Sequence, residues 1–217
     1  MTHLETELGG LRRELFLLLN RVRNAVTLAG EAITEGSRKK AERVIGGDAE
    51  IDHKQRELEE HCLGLISRHQ LVARDARFVT GVLSSLSDLE RVGDYAVHIA
   101  EDAGAVRLTG MFERLHALFT ALREMTERLA DALQRDDALL ARSVRDADNA
   151  VDAMVDAASQ HVIAGFAPDH LLEVLATMRV LRACQRIGDH LENVAERVEF
   201  WVTGQRSETG GAQVQGR

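Results

Sequence analysis

Two stretches decide how this chain is read: Glu90-Arg-Val-Gly-Asp94 and Gln185-Arg-Ile-Gly-Asp189. Each sets a donor side chain four residues before an aspartate that follows a glycine. Working outward, Asp48-Ala-Glu-Ile-Asp52 returns as Asp148-Asn-Ala-Val-Asp152, and His61 as His161, both at an offset of 100. Further upstream, Leu4, Leu8, Leu11, Leu15, Leu18, Val22, Ala25 and Ala29 fall at alternating steps of four and three. Leu115, Leu118, Leu122, Met125, Leu129 and Ala132 repeat that seam in register. Such a seam lays one helix lengthwise against its neighbours. The two opening stretches match at an offset of 95, so the second half has the shorter connection before its third helix. An offset kept over most of a chain marks an internal repeat.

The composition agrees with long helices. There is one proline in 217 residues, and Leu, Ala, Arg and Glu are abundant. An all-α fold is expected, built from two tandem, pseudo-symmetric three-helix bundles. The first covers 1–107, with helices near 3–34, 37–68 and 74–106. The second covers 108–204, with helices near 110–134, 137–165 and 168–204. Gly36, Gly110, Pro168 and Gly204 stand at expected boundaries, and Asp169 suits a helix start. Residues 205–217 lack apolar periodicity and are expected to be a disordered tail.

Hydrophobic residues make up 45% of the chain and aromatics only 4%, so the core must be aliphatic. A net charge of −8 argues against gripping nucleic acid, which needs a basic face. Cys62 and Cys184 are isolated, which predicts neither a disulfide framework nor a zinc finger and fits a reducing compartment. The first residues carry no apolar signal core, and no run reaches the roughly 18 apolar residues of a membrane span. A soluble, cytoplasmic protein is expected.

A helix turns about 100° per residue, so positions i, i+4, i+8 and i+11 share a face. Those positions are Glu90, Asp94, His98 and Glu101 in the third helix, and Gln185, Asp189, Asn193 and Glu196 in the sixth. Both stripes border the apolar arc, while Asp88 and Arg91 are expected to point outward. Spacing alone describes an ordinary solvated face. Three features argue for more. The stripe recurs; the second helix of each half adds Asp48/Asp52 or Asp148/Asp152, with Asp156 one turn on; and Gly93 and Gly188 occupy one slot. A mid-helix glycine costs about 1 kcal/mol relative to alanine, so its recurrence suggests close packing or access for a ligand. Carboxylates gathered from two helices repel unless cations neutralise them. Hard oxygen donors with an imidazole suit Mg, Mn or Fe, and zinc is a further option.

Asp88-Leu-Glu-Arg-Val-Gly-Asp-Tyr-Ala-Val-His-Ile-Ala-Glu101 and Cys184-Gln-Arg-Ile-Gly-Asp-His-Leu-Glu-Asn-Val-Ala-Glu196 resemble the duplicated Glu/Asp-x-x-x-Asp motif of the PhoU family of phosphate-signalling proteins. Gln70-Leu-Val-Ala-Arg-Asp-Ala-Arg77 is similar to that family's Gln-Pro-Val-Ala-x-Asp-Leu-Arg turn, with leucine for the proline. The resemblance spans residues 4–204. It implies paired three-helix bundles whose motifs hold iron, zinc or other divalent ions in multinuclear clusters. It also implies a negative regulator of the phosphate-starvation response that links the phosphate transporter's ATPase subunit to a sensor histidine kinase and meets the membrane only through such complexes. The ligands this suggests are Glu90 and Asp94 with Asp52 and His98, then Asp189 and Asp152. Gln185 replaces an acid and His98 replaces an asparagine of the family pattern, so the second site is expected to be the less complete. A homodimer is expected.

Rival readings fare less well. A ferritin-like di-iron oxidase needs two Glu-x-x-His motifs plus two further glutamates facing one bundle interior, and Glu113-Arg-Leu-His116 has that spacing in an otherwise ordinary fourth helix. A phosphotransfer helix using His61 or His190 is a weaker reading than an ordinary amphipathic-helix histidine. With no Gly-rich nucleotide loop and no nucleophile–base pattern, no enzyme is expected. A regulator of a low-affinity phosphate permease and a metal-free helical dimer whose acidic stripe meets a basic partner stay open as alternatives.

Overall fold

The computed structural model describes residues 2–104, 110–165 and 167–205. Among these residues the chain forms α1 His3–Thr34, α2 Arg38–Arg68, α3 Ala73–Asp102, α4 Phe112–Arg135, α5 Ala138–Ala164 and α6 Leu171–Thr203. The helices follow the expected plan, with ends shifted by up to four residues and the largest differences at the end of α3 and the start of α6. Pro168–His170 forms a short 3-10 turn ahead of α6, closed by His170 N–H donating to the Ala167 carbonyl at 2.9 Å. The α3 helix stops at Asp102; positions 105–106 of its expected span, and residues 206–217 of the expected tail, lie outside the described residues.

Local chemistry explains the ends. Thr2 and Glu5 cap α1 reciprocally: Glu5 N–H donates to Thr2 Oγ1 at 3.2 Å and Thr2 N–H to Glu5 Oε2 at 2.7 Å. Asp137 caps α5 through Leu139 and Leu140 N–H. Gly36 and Gly204 leave α1 and α6 at φ of 63° and 73°, a region glycine enters without steric cost. Asp136 takes a similar left-handed turn at φ 52°, where Arg12 of α1 bonds its carboxylate at 2.8 Å and the Leu133 carbonyl at 2.7 Å.

Within each half the three helices contact one another, and the halves join along α1–α4 and α3–α6. One apolar cluster runs through both bundles, with Leu15, Leu18, Val22, Leu115, Leu122 and Leu129 in it. Each fully buried leucine stabilises by roughly 1.5–3 kcal/mol. Glycine sets how closely the halves approach. A Cβ on Gly30 would lie 2.6 Å from Phe119 Cγ, and one on Gly81 would lie 2.6 Å from Trp201 Cε3. Phe78 packs edge-on against Trp201, their centroids 5.4 Å apart.

Asp88 does not point outward as the helical wheel predicts. It is buried, because α6 of the other half covers the face of α3 that a single bundle would expose. Its carboxylate accepts from His190 Nδ1 at 2.7 Å, from Asn193 Nδ2 at 3.1 Å and from the Arg197 guanidinium. Burial alone would raise the Asp88 pKa, but His190, Arg197 and Asn193 outweigh it and hold it below the usual range. Further along the same seam, Asp102 receives both arms of Arg179, Nε at 2.9 Å. These acids sit on α3 and their bases on α6, so the joint favours this heterotypic pairing. Arg91 does point outward. None of the helices described is long and apolar enough to cross a membrane.

Candidate metal centre

The α2 helix crosses α3, and α5 crosses α6, at the mid-helix glycines. A Cβ on Gly93 would stand 3.2 Å from Ile51 Cδ1 and 3.7 Å from Asp48 Oδ1. On Gly188 it would stand 2.3 Å from Asp148 Oδ1 and 3.4 Å from Val151 Cγ1. The trio Asp48, Ile51, Gly93 therefore recurs as Asp148, Val151, Gly188. In the second half the missing side chain lets the Asp148 carboxylate lie against α6; in the first, Ile51 makes the tight contact and Asp48 sits at ordinary van der Waals range.

In the first centre, Asp48 and Asp52 come from α2, and Glu90, Asp94 and His98 from α3. Burial raises the Asp48 pKa and the charges of Asp52 and Asp94 raise it further, while His98 opposes them. Glu90 is raised by burial and then by Asp94, against Arg91, with Asp52 and Asp48 adding to the rise. Glu90, Asp94, Asp52 and His98 thus lie near enough to Asp48 or to one another for their charges to interact, but among the described residues no three of their donor atoms come within 4.8 Å of one another. Exposed Arg91 reaches Asp94 at 3.5 Å and Glu90 at 3.8 Å from the rim. His98 and Glu101 are exposed at the end of the stripe.

The second centre gathers Asp148 and Asp152 from α5 with Gln185, Asp189 and Glu192 from α6. Asp148 is only 7% exposed. Burial, then Glu192, Asp152 and Asp189, push its pKa up to about 7. Its Oδ1 is shut off from solvent and has no hydrogen-bond partner among the described residues. Leaving a buried polar atom unpaired costs about 1–3 kcal/mol, which a cation or a proton would relieve. Gln185 Nε2 donates to Asp152 Oδ1 at 3.0 Å, and Arg186 holds Asp189 at 2.9 Å. Arg145 spans Glu192 at 3.7 Å and Glu196 at 3.2 Å. Burial raises the Glu192 pKa, Arg145 opposes, and Glu196, Asp189 and Asp152 raise it again. Asn193 turns away to Asp88, and Asp156 is exposed.

Glu192 escapes a reading that steps from i+4 to i+8. At i+7 it lies within about 20° of Gln185 around the helix, nearer the stripe than Asn193 at about 80°. The first half has Val97 there, so comparing the halves position by position conceals it. Asp48 and Asp148 belong to the acidic pairs read from sequence, yet the ligand choice falls on Asp52 and Asp152. The glycine across the helix crossing is the signal that singles out the former two.

The rival constellations are dispersed. Glu113 and His116 are exposed on α4, and His116 stacks on Phe112 rather than facing the bundle interior. His61 lies 3.6 Å from Glu14, and His190 is anchored to Asp88. Burial pushes the Cys62 thiol up to about 12 and raises Cys184 as well, so both are poor nucleophiles. The donor set of the two centres is instead suited to hard or borderline cations. Several carboxylates with one imidazole or amide, and an orphaned Oδ1 lying in a glycine cradle, fit bound metal ions.

Comparisons with known proteins agree with the six-helix fold and its internal repeat. A family described as PhoU domain matches residues 16–103 and 115–198, one match in each half. A phosphate-specific transport system accessory protein PhoU homolog of Deinococcus radiodurans is 35% identical over 208 residues, covering 94% of this chain and 98% of that protein. The PhoU homolog of Pseudomonas aeruginosa is 30% identical over 204 residues, covering 91% of this chain and 84% of that protein. The crystal structure of PhoU from Pseudomonas aeruginosa superposes with a TM-score of 0.87 at 29% identity, over 93% of this chain and 99% of that one. The phosphate transport system regulatory protein PhoU from Streptococcus pneumoniae gives a TM-score of 0.87 at 26% identity, over 95% of this chain and 100% of that one.

Proposed function

This chain belongs to the PhoU family, and from that premise we propose that it is a cytoplasmic accessory regulator of phosphate uptake whose two acidic centres bind metal ions. The observation that carries the metal reading is Asp148. It is a buried carboxylate with an unpaired oxygen, packed on a glycine and ringed by Asp152, Asp189 and Glu192. Iron or zinc is the expected occupant, with manganese or magnesium as harder substitutes. Asp48, Asp52, Glu90, Asp94 and His98 would hold it in the first half, and Asp148, Asp152, Asp189 and Glu192 in the second. The ion would supply the positive charge these carboxylates lack, tying α2 to α3 and α5 to α6, and it would give an anion such as phosphate a landing point. Protein purified without chelator is expected to carry at least one iron or zinc per chain by elemental analysis. Metal-free protein with no thermal shift on adding iron, zinc or manganese would count against the centres, because a ligand that binds the folded state raises its stability.

On regulation, the chain represses the phosphate-starvation response by coupling the phosphate transporter's ATPase subunit to its sensor kinase. Deleting the gene should leave phosphate-scavenging genes on at high phosphate; unchanged repression would end this part of the reading. Affinity capture from phosphate-replete cells should retrieve the ATPase or the kinase. Capture of a low-affinity permease would move the protein to that transporter instead.

A further inference from the structure

We propose that His3, Glu7 and His69 form a separate site for one first-row transition-metal ion, zinc(II) foremost, which staples the first turn of α1 to the end of α2. One donor atom from each of the three residues lies within 4.8 Å of the other two. Glu7 Oε2 is the hub, 2.5 Å from His69 Nε2 and 3.7 Å from His3 Nε2. A tetrahedral zinc with bonds near 2.0–2.1 Å places its donors roughly 3.4 Å apart, a spacing that side-chain rotations reach, with water in the fourth position.

The three residues arrive by two routes. His3 and Glu7 stand one turn apart on α1, on the same face. His69 is the C-terminal cap residue of α2, where the chain leaves the helix. The ring centroids of His3 and His69 are 6.0 Å apart, which leaves room for an ion between them. Arg68 donates to the other oxygen of Glu7, Oε1, at 2.9 Å, fixing the carboxylate while Oε2 stays directed at the imidazoles. A ligand carboxylate oriented by an outer partner is a usual feature of metal sites. His69 and Arg68 also hold Glu7 below the ordinary glutamate range, so it is ready as an anion.

Two imidazoles and a carboxylate differ in kind from the oxygen-rich centres at Gly93 and Gly188. Imidazole favours zinc, copper or nickel over magnesium. The site belongs to the first half alone, since the offset of 100 puts Ala103 and Arg107 where His3 and Glu7 stand. His3 is 82% exposed and must be ordered on binding, so the expected affinity is micromolar rather than nanomolar.

The test is zinc chloride titrated into the full, metal-stripped chain while the histidine ring nitrogens are followed by long-range 1H–15N NMR. The His3 and His69 rings should shift together and saturate with one equivalent of zinc beyond what the acidic centres take up. H3A and H69A should each abolish the response of the other ring, and R68A should weaken binding roughly tenfold. Rings that stay still, or a His69 shift that survives H3A, would overturn the proposal and leave a His69–Glu7 hydrogen bond only. A chain carrying D48N and D148N should reach the same saturated His3 and His69 shifts as the native one, at no more added zinc. If its His3 and His69 shifts vanish, zinc was acting through the acidic centres and the staple falls. Failure of the acidic centres to bind metal leaves this site standing.

Discussion

The two acidic centres share a scaffold and differ in how their charge is balanced. The first places Asp48, Asp52, Glu90 and Asp94 at intermediate depth, with Arg91 at the rim as its near cation. The second drives Asp148 deeper, leaves one of its oxygens unpaired, and brings Arg145, Arg186 and the Gln185 amide against the surrounding acids. Replacement of the acid at position 90 by Gln185 looks, in sequence, like loss of a ligand. In the fold the acid has been relocated: Glu192 stands where the first half has Val97. A repeat can change its donor list one position at a time and keep a site of similar charge.

Breaking the joint between the halves should have the largest effect and should disturb both centres alike. Asp88 to asparagine strands Arg197 and His190 at the α3–α6 seam and is expected to cost roughly 3 kcal/mol in urea unfolding at pH 7. The Asp88 pKa is depressed, so its contribution is present above the unfolded-state value and is lost as pH falls through the folded one. The native–variant difference should shrink in acid.

Asp148 carries the opposite sign. Its pKa is raised from 3.8 to about 7, so the folded protein resists its ionisation: the cost is absent below 3.8 and complete above about 7. Metal-free D148N should therefore be more stable than the native chain at pH 8, and the two should converge near pH 4. A pKa unit is worth about 1.4 kcal/mol, and water reaching the neighbouring acids trims the total, so a gain on the order of 1–3 kcal/mol is expected. D48N should act in the same direction but less, since Asp48 is more exposed.

The glycines sharpen the contrast. Alanine at Gly188 would put Cβ 2.3 Å from Asp148 Oδ1, so the carboxylate must leave its cradle and its titration should fall well below 7 by carboxyl 13C NMR. Alanine at Gly93 meets Ile51 at 3.2 Å, a contact that offsets the helix-propensity gain, and stability should stay within about 1 kcal/mol of native. The smallest expected change is E192Q. Removing the charge that ranks next to burial should lower the Asp148 midpoint while the helices stay intact by circular dichroism.

The helices were legible because their causes are local and periodic. The Leu4 to Ala29 seam, its echo from Leu115, and the capping glycines place six helices with every end within four residues. The repeat gave Asp48 and Gly93 their counterparts Asp148 and Gly188, but at offsets of 100 and 95, so it did not announce that each aspartate faces its glycine. Asp88 was not legible, because the helix that buries it comes from the other half of the chain and nothing within α3 announces it. Nor was the depth of Asp148, which depends on how closely α5 approaches α6 at one glycine. Glu192 was legible at i+7 and was obscured by following i+8.

The most direct measurement is carboxyl 13C NMR of the metal-free chain during a manganese(II) titration, reading paramagnetic broadening residue by residue. The account predicts that Asp48, Asp94, Asp148 and Asp189 broaden first, in two groups that saturate, while exposed acids far along the helices from both centres, such as Asp169, stay sharp. Broadening spread evenly over surface carboxylates, with Asp148 no more sensitive than Asp169, would contradict it.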